Sequence, residues 1–96
     1  MLNKDRLISF GYVSRPHGYK GDVQITLERK IVSLKRDDFV FIQLQGQFIP
    51  YKITHLKGKT DTPVVGLEFI DTFEKAQDIV GSPVFTNQEV LPEDSE

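Results

Sequence analysis

Residues 11–23 constrain the fold of this 96-residue chain more than any other stretch. Two glycines and a proline separate two apolar runs there, and the run before them holds β-branched and aromatic residues. Beyond them Val23 and Ile25 alternate with polar neighbours, which is the two-residue period of a half-buried strand. The pattern predicts two strands joined by a turn. Three residues shape the backbone of that turn: Pro16, Gly18 and Gly21.

The same turn carries the candidate contact residues, which are Arg15, His17, Tyr19 and Lys20. Arginine and lysine neutralise phosphate, while tyrosine and histidine stack on unpaired bases or on an arginine of a protein partner. Three more residues could join them from another loop: His55, Lys57 and Lys59. The alternative is that all of these are ordinary polar turn residues, and the sequence leaves both interpretations open.

Gly18 and Gly21 are predicted to have positive φ angles, which glycine adopts freely. A phosphate-binding loop or a dinucleotide fingerprint is not indicated, because no helix follows the two glycines.

Four further segments are typical of short strands: residues 39–44, 48–56, 64–70 and 82–86. The second contains Pro50, which cannot donate to a strand ladder and therefore predicts an edge position or a bulge. In the third, Gly66 predicts a bulge or a point of close packing.

Residues 71–81 break the strand pattern, since their apolar residues fall at helical spacing. We expect Asp71 to cap the first turn, with Glu74 reaching back to it, and Gly81 to provide a left-handed stop. Phe73 and Val80 are expected to face inward.

Six strands and one helix predict an all-β protein, a six-stranded closed antiparallel barrel with the short helix over one mouth. An open sheet of this size would leave two edges and a bare face, whereas closure removes most edges. Five phenylalanines are expected in the core: Phe39, Phe41, Phe48, Phe69 and Phe73.

Length predicts one domain, residues 1–90, followed by the acidic start of a linker at residues 91–96. Apolar runs all stay well short of the roughly 18 residues that span a membrane, and no signal peptide is apparent. The chain has no cysteine, which fits a reducing cytosol.

Charge is divided unevenly along the chain. Residues 1–60 hold 11 Lys and Arg against 5 Asp and Glu, whereas residues 61–96 hold 1 against 9. Either the charges populate solvated faces, or one side of the domain faces an anionic partner such as RNA.

Catalytic and metal chemistry are both disfavoured. The two histidines, His17 and His55, lie far apart in sequence, and a zinc or iron site needs three or four ligands. An enzyme would use His17 as base, Tyr19 or Lys20 as acid and Asp22 as orienting carboxylate, but a small barrel has its interior filled with side chains.

Two motifs carry a family resemblance. Residues 10–23 resemble the opening motif of RimM, the bacterial ribosome maturation factor family, and residues 66–81 resemble that family's strand, Asp turn and Glu-x-x-Ala helix. Leu91-Pro92 resembles the exit from the family's first domain. The chain matches the first-domain pattern at Pro16, His17, Gly18, Lys20 and Gly21.

The resemblance implies a Greek-key barrel of the translation-factor type in a cytoplasmic protein without enzymatic activity or a cofactor. It also implies binding to the free small ribosomal subunit, with support for assembly of its head and for 16S rRNA processing. The nineteenth small-subunit ribosomal protein would be contacted mainly through a second barrel, the PRC domain, which follows the linker in the family and is absent from this chain. No membrane partner and no small-molecule substrate are implied.

Two alternatives remain at this point. One is a small barrel enzyme domain of the flavin-reductase type, and the other is a stand-alone RNA-binding barrel.

Overall fold

The structure is a computed structural model that describes residues 7–29, 34–58 and 61–87. These residues form six strands and one helix: β1 (Ile8–His17), β2 (Asp22–Leu27), β3 (Phe39–Leu44), β4 (Gln47–Lys57), β5 (Val64–Leu67), α1 (Phe73–Asp78) and β6 (Pro83–Thr86). The predicted linker at residues 91–96 and Lys59 lie outside the described residues.

The strands close into a barrel in the order β1-β2-β5-β4-β3-β6, and every neighbouring pair is antiparallel. Tight turns join β1 to β2 and β3 to β4, and the second of these uses Gln45 and Gly46, both with positive φ. Since β2 and β3 are not neighbours, the chain crosses over between them, as Greek-key order requires. The predicted fold class is confirmed.

The interior of the barrel is filled with side chains. Inward positions on the strands alternate with outward ones, and the inward residues are buried and, apart from Thr86, apolar. The fully buried members of this core are Phe10, Val13, Val23, Ile25, Val40, Ile42, Ile53, Val65, Ala76 and Val84. Function must therefore be sought on the outside of the barrel.

Helix α1 packs its inner side against β1 and β2. Ala76 and the following Ile79 are buried, and Val80 packs partly against the core, as expected. The capping residue is Thr72, whose hydroxyl accepts from the Lys75 amide at 3.1 Å. The expectation that Asp71 would cap the helix is wrong, because the helix begins two residues beyond it.

Asp71 instead forms an exposed ion pair with Lys75, with its carboxylate 3.1 Å from the ammonium nitrogen. Gly81 has a φ of 90°, so the predicted left-handed stop is confirmed.

The predicted core phenylalanines divide into two groups. Phe41 is buried, and Phe48 is half-buried against Phe85 in an edge-to-face pair with 4.8 Å between ring centres. Phe39, Phe69 and Phe73 are exposed, so their assignment to the core is wrong. They were assigned because they lie in predicted strands or in the predicted helix, whereas the inward positions beside them are taken by neighbours, as Val40 is beside Phe39.

Two positional predictions about the strands hold. Pro50 pairs with Phe41 of β3, on a part of β4 that does not pair with β5. One side of β4 is therefore an edge at this position, as predicted. Gly66 is a point of close packing, because a β-carbon there would lie within 2.3 Å of the His55 ring.

Candidate functional site

Strand β1 runs further than the sequence indicated. Arg15, Pro16 and His17 were expected in a loop, but they pair with Gln24, Val23 and Asp22 of β2. Beyond Tyr12, β1 pairs with β2 but no longer with β6. Pro16, which has no amide hydrogen to donate, is tolerated there because one side of the strand has no neighbouring strand to bond. The candidate residues are therefore divided between a strand end and a short turn.

A β-bulge sets the direction of the strand-end side chains. Val13 pairs with Ile25 and Arg15 with Gln24, which leaves Ser14 as an extra residue. An extra residue reverses the alternation of side chains, so Arg15 and His17 project outward although Val13 points into the core.

The bulge is fastened by side-chain hydrogen bonds to Gln24. The Ser14 hydroxyl donates to the Gln24 backbone carbonyl at 3.0 Å, and Arg15 Nε donates to the side-chain oxygen Oε1 of the same residue at 2.9 Å. Ser14 and Gln24 were not among the predicted site residues. The apolar alternation stops after Val13, but a bulge is defined only relative to the partner strand, so the sequence alone does not locate it.

The turn that follows holds the two most prominent side chains. Gly18 and Gly21 have φ angles of 76° and 96°, so the predicted positive values are confirmed. Between them Tyr19 is 88% exposed, and Lys20 is exposed as well. Gly21 also lies so close to the Ile70 carbonyl that a β-carbon could not fit between them.

His55 reaches the same surface from β4. A second register shift, at Thr54, directs His55 outward, and its ring lies over Gly66 of β5. There His55 Nε2 is 3.0 Å from a carboxylate oxygen of Asp22 on β2. A ring with its proton on Nε2 donates to Asp22 and accepts at Nδ1 from the Thr54 hydroxyl, which lies 3.3 Å away.

The outward residues align in two rows across four adjacent strands. In one row Arg15, Gln24, Val64 and Lys57 are consecutive register partners, and in the next row His17 pairs with Asp22 and His55 with Gly66. We call these eight residues the four-strand face. Three strand spacings, about 14 Å in all, separate Arg15 from Lys57.

The four-strand face is suited to binding an extended anion. The cationic Arg15 and Lys57 stand at the ends of one row, and His17 and His55 stand at the ends of the next. The one carboxylate between them, Asp22, is hydrogen-bonded to His55 and has a side chain only 16% exposed. Tyr19 and Lys20 extend this surface at the turn.

Within the described ranges, no three His, Cys, Asp or Glu side chains are grouped so as to hold a metal ion. A surface depression of about 530 Å³ is lined by Leu44, Gln45, Gln47, Ile49, Asp78 and Ile79. None of the candidate site residues reaches it.

Comparison with known proteins decides the family. Residues 8–91 match the model of the RimM N-terminal domain. The chain belongs to the RimM family. Among curated relatives, it is 34% identical over 91 residues to the ribosome maturation factor RimM of Phocaeicola vulgatus, covering 94% of this chain and 49% of that protein. RimM of Bacteroides thetaiotaomicron is also 34% identical, over 94% of this chain and 48% of that protein.

Solved RimM structures share the fold. The solution structure of the RimM N-terminal domain from Thermus thermophilus matches with a TM-score of 0.66 and 23% identity, covering 84% of this chain and 88% of that one. The crystal structure of RimM from Pseudomonas aeruginosa gives a TM-score of 0.69 at 14% identity, covering 94% of this chain and 52% of that one. The predicted family resemblance is confirmed, and the chain spans about half the length of the curated RimM relatives it matches.

The helix of this RimM domain has six residues. Nowhere in the described parts of the chain is a helix long and apolar enough to cross a membrane.

Proposed function

We propose that this RimM-family domain is a non-catalytic cytoplasmic module that docks a ribosome maturation factor on the free small ribosomal subunit. The observation that carries the proposal is the four-strand face, with Arg15 and Lys57 at the ends of one row and Lys20 on the adjoining turn. Support comes from the curated relatives, which are named ribosome maturation factors.

RNA phosphates are the ligands that this face fits best. Lysine and arginine on a rigid strand surface neutralise phosphates without reading sequence, while Tyr19 and His17 can stack on unpaired bases. A factor that binds an immature arrangement of the subunit head better than the alternatives shifts the population towards productive folding and so supports 16S rRNA processing. No cofactor is required for such a role.

The proposal extends to the domain plan. Residues 1–90 would form the barrel domain and residues 91–96 the start of a linker to a second barrel. That second barrel would provide most of the contact with the nineteenth small-subunit ribosomal protein.

The test uses a full-length factor that contains this domain. Arg15→Ala combined with Lys20→Ala should weaken co-sedimentation with free small subunits by about tenfold and reduce the salt dependence of binding, since each lost phosphate contact lowers the slope by about one. Lys35→Ala combined with Arg36→Ala is the matched control, because it removes the same charge from exposed positions before β3.

The thermal unfolding midpoint should stay nearly unchanged in both double variants, because all four side chains are exposed, the Arg15 hydrogen bond to Gln24 is exposed as well, and the Ser14 hydrogen bond still holds the bulge. Unaltered co-sedimentation of the Arg15 and Lys20 variant, or an equal loss in the control, would reject the four-strand face and its turn as the docking surface.

A further inference from the structure

Two exposed phenylalanines stand where the chain passes from β5 into α1. Phe69 is 75% exposed and Phe73 is 43% exposed. They lie four residues apart along the chain, on either side of the cap residue Thr72. We call Phe69 and Phe73, with the adjoining carboxylates of Glu68 and Glu74, the aromatic corner.

The backbone at Phe69 makes this aromatic residue unexpected. The Ile70 amide donates to the Leu67 carbonyl at 3.0 Å, which closes a four-residue turn with Phe69 at its third position. Its φ of 74° matches a type II turn, where that position calls for glycine or asparagine. A bulky aromatic residue with positive φ is strained.

Neighbouring hydrogen bonds hold the turn in place. The Glu68 amide donates to the Lys52 carbonyl of β4 at 2.8 Å, so the turn is fastened to the barrel and directs Phe69 to the outside. Packing does not compensate for the strain, because three quarters of the side chain is exposed. A residue that violates the backbone preference of its turn position, with no packing contact in return, is typical of a binding site.

The charge around the corner selects the partner. Residues 67–78 contain four carboxylates and a single lysine, and that lysine, Lys75, is paired with Asp71. The remaining carboxylates, on Glu68, Glu74 and Asp78, would repel RNA phosphates. A guanidinium group, in contrast, stacks on an aromatic face and forms paired hydrogen bonds with a carboxylate.

We propose that the aromatic corner binds an arginine-rich segment of a protein partner. The site is distinct from the four-strand face, although the two surfaces adjoin where Gly21 abuts the Ile70 carbonyl. A ribonucleoprotein partner can therefore present RNA to one surface and a basic polypeptide to the other. The proposal does not depend on RNA binding by the four-strand face.

The test titrates the 96-residue chain with a fluorescein-labelled peptide that alternates arginine with serine, and it follows anisotropy. Phe69→Asn should weaken binding by about tenfold, as expected for the loss of a stacking anchor, and Glu74→Gln should weaken it less. Tyr12→Ser and Glu28→Gln are matched controls, because they remove an aromatic ring and a carboxylate from other exposed positions. A peptide with lysine in place of arginine should bind more weakly.

Phe69→Asn also separates binding from folding, because asparagine tolerates positive φ. Its unfolding midpoint should equal or exceed that of the parent chain, and a clear decrease would mark Phe69 as a packing residue and overturn the proposal. The proposal also fails if Phe69→Asn weakens binding of an oligouridine RNA instead of the peptide, or abolishes a dimer seen by analytical ultracentrifugation. Arg15→Ala with Lys20→Ala should leave peptide binding intact, so failure at one surface is distinguishable from failure at the other.

Discussion

Gly18 and Gly21 belong to one turn and both have positive φ, but their surroundings differ. A β-carbon on Gly18 would meet nothing within 4 Å, whereas one on Gly21 would lie 2.2 Å from the Ile70 carbonyl oxygen and 2.8 Å from the Asp71 α-carbon. The same change, glycine to alanine, therefore tests two different effects three residues apart.

The expected magnitudes follow from these distances. At Gly18 the change adds only the strain of a left-handed alanine, which lowers the free energy of unfolding by about 1 kcal/mol. At Gly21 the added carbon lies about 0.8 Å inside the 3.0 Å limit for real β-carbon contacts, and the opposing atoms are backbone. Separating the turn from the backbone of Ile70 and Asp71 adds about 2 kcal/mol, so Gly21→Ala should lower the free energy of unfolding by about 3 kcal/mol.

Thermal and urea unfolding of the two variants measure the difference. For a domain of this size 1 kcal/mol corresponds to roughly 4–8 °C, so Gly18→Ala should lower the midpoint by about 6 °C and Gly21→Ala by more than about 12 °C. Equal decreases in the two variants would show that φ alone matters. The inferred close approach of the β1–β2 turn to Ile70 would then be wrong.

Two predictions concern helix α1. Thr72→Ala should lower the free energy of unfolding by about 1 kcal/mol through loss of the cap, whereas Asp71→Ala should change it by less than about 0.5 kcal/mol because its ion pair is exposed. Urea denaturation measures both losses, and a larger loss for Asp71→Ala than for Thr72→Ala would show that Asp71 is the cap. Ile79→Ala should lose about 3 kcal/mol and Phe73→Ala less than about 1 kcal/mol, since only the first side chain is buried. Comparable losses would place Phe73 in the core.

Features governed by local rules were predictable from the sequence. Apolar alternation and short apolar runs located all six strands, although β5 ends at Leu67 and not at Ile70 as predicted. The positive φ angles of Gly18, Gly21 and Gly81 followed from glycine chemistry. Helix α1 was recognised by its spacing, although its cap was misplaced by one residue. Two polar residues that can cap, Asp71 and Thr72, stand side by side, and the choice between them depends on where the backbone leaves β5.

Features that depend on partner strands were not predictable. The bulges at Ser14 and Thr54 exist only relative to β2 and β5, and each reverses the direction of every side chain that follows. The exposure of Phe69 depends on a turn that a phenylalanine rarely occupies. Phe69 was predicted in the core because it lies in a segment with a strand pattern, and that pattern carries no information about the turn between Leu67 and Ile70.

The meeting of Asp22 and His55 shows why the binding surface needs the closed barrel. These residues are 33 positions apart in sequence, and their strands are separated by β5, so a side chain at position 66 would hold them apart. Glycine at that position lets the imidazole cross the intervening strand and reach the carboxylate. Without that contact, the Asp22 carboxylate would lose the imidazole as a hydrogen-bond donor on the four-strand face. The arrangement of polar side chains on this surface therefore depends on strand order and on the missing side chain of Gly66, and not only on which residues the sequence supplies.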